Sequence, residues 1–180
     1  MHVLITPRLT LRPPAYADAE DIALWLSDTA VTHNLAAVPY PYTPDDAVRW
    51  IDEIRNSPQD LVYTIHRERL IGVVSIENVE DDPRLGYWLA ARHHGHGFMT
   101  EAARRLIGHA VAERSIGSIR SSVFVDNPAS LAVQRKLGFS VTGRGEMFSR
   151  SRNETVPTLK TALAAEAFAA AADLEHMAAA

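Results

Sequence analysis

The segment RHHGHGFMTEA, residues 92–102, places three histidines and two glycines within six positions. Histidine binds metal ions and titrates near neutral pH, and glycine permits the positive φ angles that let a ligand approach the backbone closely. The segment follows a predicted strand and precedes a predicted helix, whose first N–H groups have no intrahelical partner and attract anions. A metal site, a phosphate-binding turn and a plain structural turn with exposed histidines are therefore three competing interpretations.

Spacing weakens some of these interpretations. Zinc needs three or four ligands, and the following helix has no His-Glu-x-x-His pattern, so we expect no metal site. A dinucleotide fingerprint would need glycine where the chain has Thr100, and a Walker-type loop would end in Gly-Lys-Ser/Thr. Local composition leaves the phosphate-binding turn, to which Arg92 would add a cation, and the plain structural turn equally open.

Other polar residues with chemical potential occur at predicted element ends. Asn127 is expected to cap a helix that Gly138 ends, which puts Ser130 in the first helical turn. Glu77 comes late in a predicted strand, where a solvated carboxylate is the ordinary interpretation. Glu101 falls in a first helical turn, where stabilisation by the helix dipole is expected.

Composition limits the protein class. The chain has 180 residues, 47% of them apolar, which predicts one domain with a substantial core. A net charge of −4 argues against a nucleic-acid binder, and the absence of cysteine excludes disulfides and thiolate sites. No signal pattern and no run of 18 apolar residues occur, so we expect a soluble cytoplasmic protein that does not bind membranes.

Apolar periodicity predicts the elements that position these residues. Thr43 and Pro44 mark the start of one helix, and Asp18 is expected to cap another. The order is strand, helix, helix, three strands, helix, strand, helix and two strands. The predicted strands lie at 3–12, 61–66, 69–78, 84–91, 118–125, 139–148 and 155–164, and the helices at 19–28, 43–56, 98–114 and 127–137.

Three motifs, in order, resemble those of the GCN5-related N-acetyltransferase (GNAT) superfamily, in the branch that acetylates ribosomal-protein N-termini. They are TPRLTLRPPAYADAEDI near the N-terminus, LGYWLAARHHGHGFMTEAARRLIGHA in the middle, and VFVDNPASLAVQRKLGF after it. The second contains the Arg/Gln-x-x-Gly-x-Gly/Ala motif of the superfamily. The resemblance covers roughly residues 6 to 165.

The resemblance implies the α/β (α+β layered) GNAT fold. It predicts a single mixed, mostly antiparallel sheet of about six to seven strands, flanked by about four helices. The sheet would splay into a V between the strands at 84–91 and 118–125. The acetyltransferase domain would span 1–165, and the alanine-rich tail at 166–180 would be partly helical or frayed.

The resemblance also implies acetyl-CoA as the co-substrate, bound in this V without a metal. Its pyrophosphate would lie on the backbone amides of residues 92–97 and on the helix start, and its pantetheine arm on the preceding strand. The histidines would be mainly solvent-facing. The implied cofactor-binding residues are Trp88, Leu89, Ala90, Arg92, His93, His94, Gly95, His96, Gly97, Phe98, Met99, Thr100, Asn127 and Ser130.

Catalytic roles are less completely specified by the resemblance. Ser130 would lie near the thioester sulfur, and we expect it, or water, to protonate that sulfur. A neighbouring branch has a tyrosine acid and a glutamate base where this chain has Gln134 and Ser122. Glu77 is the candidate base that remains.

The implied reaction is direct attack of a primary amine on the acetyl thioester. A protein or peptide N-terminal α-amine is the favoured acceptor, since its pKa near 7.7 to 8.0 leaves part of it neutral at pH 7. A small-molecule amine and a non-catalytic acyl-CoA-binding module are the alternatives. The expected partners are the acceptor amine and, in the case of a homodimer rather than a monomer, a second copy; nucleic acid and membrane are not expected.

Overall fold

The computed structural model describes residues 2–168, and its eight strands form one mixed sheet in the order β1-β2-β3-β4-β5-β6-β8-β7. Only the β5–β6 pair is parallel among the described strands. The strands are β1 (Leu4–Ile5), β2 (Thr10–Arg12), β3 (Leu61–Arg67), β4 (Arg69–Glu77), β5 (Arg84–Leu89), β6 (Ser118–Phe124), β7 (Ser140–Ser149) and β8 (Glu154–Ala164). The single mixed, mostly antiparallel sheet expected from the sequence is confirmed, and the strand count is higher.

The additional strand arises near the N-terminus, where one predicted strand is two. The chain turns between β1 and β2, and the Thr6 N–H donates to the Leu9 carbonyl at 3.0 Å. Pro7 lies in this turn and has no N–H with which to continue a ladder. The prediction of six to seven strands was therefore wrong by the splitting of residues 3–12 into a small hairpin.

The helices are α1 (Ala19–Leu26), α2 (Thr29–Thr32), α3 (Pro44–Arg55), α4 (Phe98–Arg114) and α5 (Pro128–Lys136), and residues 165–168 are also helical. Thr43 and Asp46 form a capping box at the start of α3, which confirms the predicted cap. The short helix α2 was not predicted; Asp28 caps it by accepting from the Ala30 N–H at 2.9 Å. Of the tail predicted at 166–180, residues 169–180 lie outside the described residues.

Asp18 does not cap α1 with its side chain, contrary to the prediction. Its carboxylate instead accepts two hydrogen bonds from the Arg12 guanidinium, at 2.5 and 2.8 Å. Asp18 is 4% exposed, and a buried carboxylate needs a partner of opposite charge. The Asp18 carboxylate therefore pairs with Arg12 rather than capping α1.

Two apolar clusters cover the two faces of the sheet. The larger packs α4 against strands β3 to β6, and the smaller joins α1 and α3 to the sheet through Leu70 and Trp88. The apolar stripe of α4 predicted from the sequence is buried, with Ala102, Leu106 and Ile107 inaccessible to solvent. Within residues 2–168, no helix is long and apolar enough to cross a membrane.

Candidate active site

The parallel strands β5 and β6 touch at one end and then separate. Their pairing is limited to Arg84 and Arg120, supported by hydrogen bonds from the Arg120 N–H to Pro83 and from the Ser121 hydroxyl to the Leu85 carbonyl. Beyond Leu85 the two strands leave backbone groups facing a gap rather than each other. This divergence forms the V that the sequence led us to expect.

A cleft of about 530 Å³ occupies the V. Both arms contribute to it, together with the starts of α4 and α5 and with residues near α2. Nearly all of the predicted cofactor-binding residues line it: Trp88, Leu89, His93, His94, Gly95, Gly97, Phe98, Met99, Thr100, Asn127 and Ser130. The predicted residues Ala90, Arg92 and His96 are not among the residues lining this cleft.

The glycine turn presents backbone N–H groups to the cleft. Gly95 and Gly97 have φ values of 79° and 77°, in the left-handed region that favours glycine. Gly97 is the N-cap of α4, and the first bond within the helix runs from the Glu101 N–H to the Gly97 carbonyl at 3.0 Å. The N–H groups of residues 98–100 therefore have no intrahelical acceptor, which favours an anion at this position.

The charged residues around the turn have different surroundings. The Arg92 guanidinium lies 4.3 Å from the Trp25 ring, and the His96 ring stacks on Phe98. His94 is not simply solvent-facing, because its Nε2 lies 2.8 Å from the Leu89 carbonyl oxygen. Burial and neighbouring arginine charges lower the pKa of His93, which favours the neutral ring. In the part of the chain that the structure describes, no group of three potential ligands could hold a metal ion.

Glu101 fastens the N-terminal hairpin to the start of α4. Its carboxylate accepts hydrogen bonds from the Thr6 hydroxyl at 2.6 Å and from Arg8 Nε at 2.6 Å. Arg8 also donates to the His96 carbonyl at 3.0 Å, and its guanidinium lies 4.7 Å from the Phe98 ring. Glu101 was expected only to interact with the helix dipole, and no local pattern indicated that Arg8 supports the glycine turn from outside.

The opposite arm of the cleft carries Asn127 and Ser130. Asn127 caps α5, with its Oδ1 accepting from the Ser130 N–H at 3.0 Å, as predicted. The Ser130 hydroxyl lies 2.9 Å from the hydroxyl of Tyr87 on β5. Gln134, 1% exposed, donates to Ser121 at 2.9 Å. Tyr87 was not among the predicted site residues, because nothing in the local GYW triplet indicates a contact 43 residues along the chain.

Glu77 ends β4 outside the list of cleft-lining residues. Its Oε1 accepts from the Ser75 hydroxyl at 3.2 Å, on the part of the sheet next to Gly86, which does line the cleft. Surrounding protein raises the pKa of Glu77 by desolvation, and the Asp60 charge adds to this, although the residue retains exposed surface. Its role as a base stays a prediction.

A second part of the cleft is formed by α2 and the loop after it. We call it the α2 wall: Ala30, Val31, Asn34, Leu35 and Ala36. The end of β7 and the turn that follows it, residues 149–152, dock on backbone carbonyls within residues 32–37. Its five hydrogen bonds are Ser149 Oγ to Leu35 O (3.2 Å), Arg150 N to Ala36 O (2.9 Å), Arg150 Nη1 to Ala37 O (3.3 Å), Ser151 Oγ to Thr32 O (2.8 Å) and Arg152 Nε to His33 O (2.6 Å).

Comparison with known proteins agrees with this geometry. The chain is 24% identical over 164 residues to the N-acetyltransferase p20 of Bacillus licheniformis, covering 87% of this chain and 92% of that protein. It is 33% identical over 86 residues to the ribosomal-protein-serine acetyltransferase of Escherichia coli, covering 46% of this chain and 48% of that enzyme.

Solved structures with the same fold include two acetyltransferases in complex with coenzyme A. The ribosomal L7/L12 α-N-protein acetyltransferase RimL has a TM-score of 0.80 at 19% identity, covering 91% of this chain and 98% of RimL. The spermidine N-acetyltransferase of Vibrio cholerae has a TM-score of 0.78 at 17% identity, with 91% and 99% covered. The model of the acetyltransferase (GNAT) domain matches residues 8–140. The chain therefore belongs to the GNAT acetyltransferase family and is an N-acetyltransferase that takes its acetyl group from acetyl-CoA.

Proposed function

We propose that the acceptor is the N-terminal α-amine of a protein or peptide. The observation that carries the proposal is the apolar character of the α2 wall, to which Phe124 and Met147 add further apolar surface. Among the lining residues, all within the described chain, there is no aspartate or glutamate. A polyamine would bring further cations to this wall, and a cation without a partner is costly to desolvate. A peptide brings one amine followed by uncharged backbone.

An α-amine suits a site whose candidate base is a carboxylate, because part of the amine is already neutral. With a pKa of about 7.7 to 8.0, roughly a tenth to a sixth of an α-amine is neutral at pH 7, whereas a lysine side chain near 10.4 is almost wholly charged. Only a modest base is then required. Glu77 acting through water is our candidate, since its raised pKa makes it a better proton acceptor than an ordinary carboxylate.

The proposed position of acetyl-CoA follows the V. Its pyrophosphate lies on the N–H groups of the glycine turn and the α4 start, and its pantetheine arm pairs with the backbone of Trp88 and Leu89. These strand residues are unpaired on the β6 side because the β5–β6 pairing is confined to Arg84 and Arg120. The thioester then reaches Ser130 at the start of α5.

Relatives support this acceptor class without deciding it. The Escherichia coli relative is named for a ribosomal-protein serine, and RimL for an α-N-protein. The Vibrio cholerae spermidine enzyme shares the fold to a similar degree. Fold similarity is therefore compatible with either acceptor, and the chemistry of the α2 wall favours the peptide.

An acceptor panel tests the proposal. Thiol release from acetyl-CoA is measured with short peptides that carry a free α-amine, with the same peptides N-terminally blocked but containing lysine, and with spermidine. We expect kcat/KM for free α-amine peptides to exceed that for the other two groups by at least tenfold. A preference for spermidine would overturn the proposal.

A single substitution supplies a matched control. Asn34→Asp places a carboxylate in the α2 wall with little change in volume. It also removes the hydrogen bond that Asn34 Nδ2 donates to the Ala30 carbonyl at 3.1 Å, so a melting curve accompanies the activity measurement. Since a nearby anion stabilises a second cation, this variant should gain activity toward spermidine relative to peptide. An unchanged ratio would show that the α2 wall does not contact the acceptor.

A further inference from the structure

Tyr87 connects the two arms of the cleft. It lies on β5, lines the cleft, and its ring packs against the larger apolar cluster. Its hydroxyl is 2.9 Å from Ser130 Oγ and 3.1 Å from the Ser130 carbonyl oxygen, at the first turn of α5. The contact thus crosses the V at the serine that we place beside the thioester.

The buried groups behind this contact are fixed by hydrogen bonds. Gln134 donates to the Ser121 hydroxyl at 2.9 Å, and its side-chain oxygen accepts from Thr161 at 2.7 Å. Ser121 in turn donates to the Leu85 carbonyl at 2.9 Å. These residues are buried, so the Gln134 side chain has little freedom to reorient.

The Tyr87–Ser130 contact is relevant to the reaction because the leaving sulfur must take up a proton beside Ser130. When the amine nitrogen bonds to the acetyl carbon, the carbon–sulfur bond breaks and its electron pair stays on sulfur. A serine hydroxyl is a much weaker acid than a thiol, so Ser130 alone is a poor source for the proton that sulfur takes up. A phenol, with an ordinary pKa near 10, is far closer to a thiol near 8.5.

We propose that Tyr87 supplies this proton through Ser130. As Ser130 gives its proton to sulfur, the Tyr87 hydroxyl donates its own to Ser130 Oγ; Tyr87 then recovers a proton from water, which has taken the one lost by the amine. Tyr87 acts on sulfur only through Ser130 and is therefore a positioning residue. The inference rests on the proposed placement of the thioester, and it does not depend on which amine is the acceptor.

Burial affects this role in two ways: it keeps the phenol protonated, and it makes the phenol a weaker acid than an exposed tyrosine, although still a far stronger one than a serine hydroxyl. Desolvation raises the pKa of Tyr87, an effect that its hydrogen bonds with Ser130 and Gln134 only partly oppose. The phenol consequently keeps its proton throughout the pH range of an assay. The hydroxyl has one proton, which the Ser130 carbonyl also accepts at 3.1 Å. The relay therefore requires the hydroxyl to rotate from that carbonyl to Ser130 Oγ, 2.9 Å away.

The test compares Tyr87→Phe, Ser130→Ala and the double variant, using any acceptor that is turned over, or acetyl-CoA hydrolysis if no amine is. We expect each single variant to lose about 10- to 100-fold in kcat, at or below the low end of general acid catalysis because a thiolate is a fair leaving group. The acetyl-CoA dissociation constant should stay within twofold. The double variant should lose no more than either single variant, since one relay is interrupted twice.

Two further variants separate the relay from a structural effect. Tyr63→Phe removes another buried phenol hydroxyl, one without a hydrogen-bond partner among the described residues, and should leave kcat unchanged. Ser130→Thr keeps the relaying hydroxyl and should recover most of the kcat that Ser130→Ala loses. The solvent deuterium isotope effect on kcat should fall in both Tyr87→Phe and Ser130→Ala.

The results that would overturn the relay differ from the result that would overturn the proposed acceptor. If Tyr87→Phe retains kcat within threefold, or if the losses in the two single variants multiply in the double variant, the relay is wrong. A preference for spermidine with the relay pattern intact would overturn only the proposed acceptor. If Tyr87→Phe unfolds, as judged by its melting curve, the inference depends on Ser130→Ala and its isotope effect, and an unchanged isotope effect there overturns it.

Discussion

Replacing Gly97 by alanine should weaken acetyl-CoA binding through backbone strain. An added Cβ has room, because its nearest neighbour would be an Arg8 guanidinium nitrogen at 3.6 Å. The φ of 77° remains unfavourable for any L-residue with a Cβ, at a cost of about 1–2 kcal/mol. That strain must appear either as lost stability or as lost affinity.

The strain introduced by Gly97→Ala is divided between lost stability of the fold and lost affinity for acetyl-CoA. If the substituted turn keeps its left-handed angle, the unfolding free energy falls by about 1–2 kcal/mol, or roughly 2–8 °C in Tm for a chain of this size, and affinity is unchanged. If the free protein relaxes the turn, binding must restore it, and the dissociation constant rises by up to about 5- to 30-fold. Urea unfolding of the free protein and calorimetric titration with acetyl-CoA measure the two parts.

Gly108→Ala is the matched control within the same helix. It lies in the interior of α4 without positive φ, and its added Cβ would meet the Phe168 ring at an ordinary 3.8 Å. We expect it to stabilise the protein by about 0.5–1 kcal/mol and to leave affinity alone. If Gly97→Ala behaves like this control, with a summed loss under about 0.5 kcal/mol, the assignment of strain at Gly97 is refuted.

Three pH-dependent measurements follow from the titratable groups. Glu77→Gln should lower kcat/KM for an α-amine peptide at pH 7 by at most about tenfold, the factor set by the neutral fraction of the amine, and should match wild type above pH 9; equal losses at both pH values would exclude Glu77 as the base. A diphosphate beside His93 would raise the lowered pKa of that histidine, so the protein should take up protons when it binds acetyl-CoA near pH 6.5. Calorimetric titration in two buffers of different ionisation enthalpy measures this uptake, and His93→Gln should reduce it. Burial, assisted by the Arg12 charge, lowers the pKa of His66 in the folded protein, so the stability due to its neutral form is present above pH 6.5 and is lost as pH falls; the urea midpoint should drop less between pH 7 and pH 5 in His66→Gln than in wild type.

Local patterns predicted much of this fold because they act over a few residues. The stripe on α4, the N-cap at Thr43 and the helix stop at Gly138, with φ of 93°, depend on neighbours within a turn or two. The motif resemblance extended this to the V between β5 and β6. The divergence itself follows from pairing restricted to Arg84 and Arg120, which no local pattern specifies.

Long-range contacts were the part that the sequence could not provide. Asp18 was expected at a helix end, yet its buried carboxylate pairs with Arg12. Arg92 was expected near the pyrophosphate, and the structure lays its guanidinium on Trp25, 67 positions earlier in the chain. The Tyr87 hydroxyl contacts Ser130 only because the fold places the start of α5 next to β5. In each case the energy of pairing a polar group depends on which distant segment covers it.

The docking of the β7–β8 turn on the α2 loop has a consequence for how this protein can change. Every acceptor in those five hydrogen bonds is a backbone carbonyl, which any residue at positions 32–37 would supply equally well. Side chains such as Asn34 and Leu35, which face the cleft, are therefore free to vary without dismantling the turn that covers them. Selection, or a library randomised at these two positions, can alter acceptor preference while the architecture around it is inherited intact.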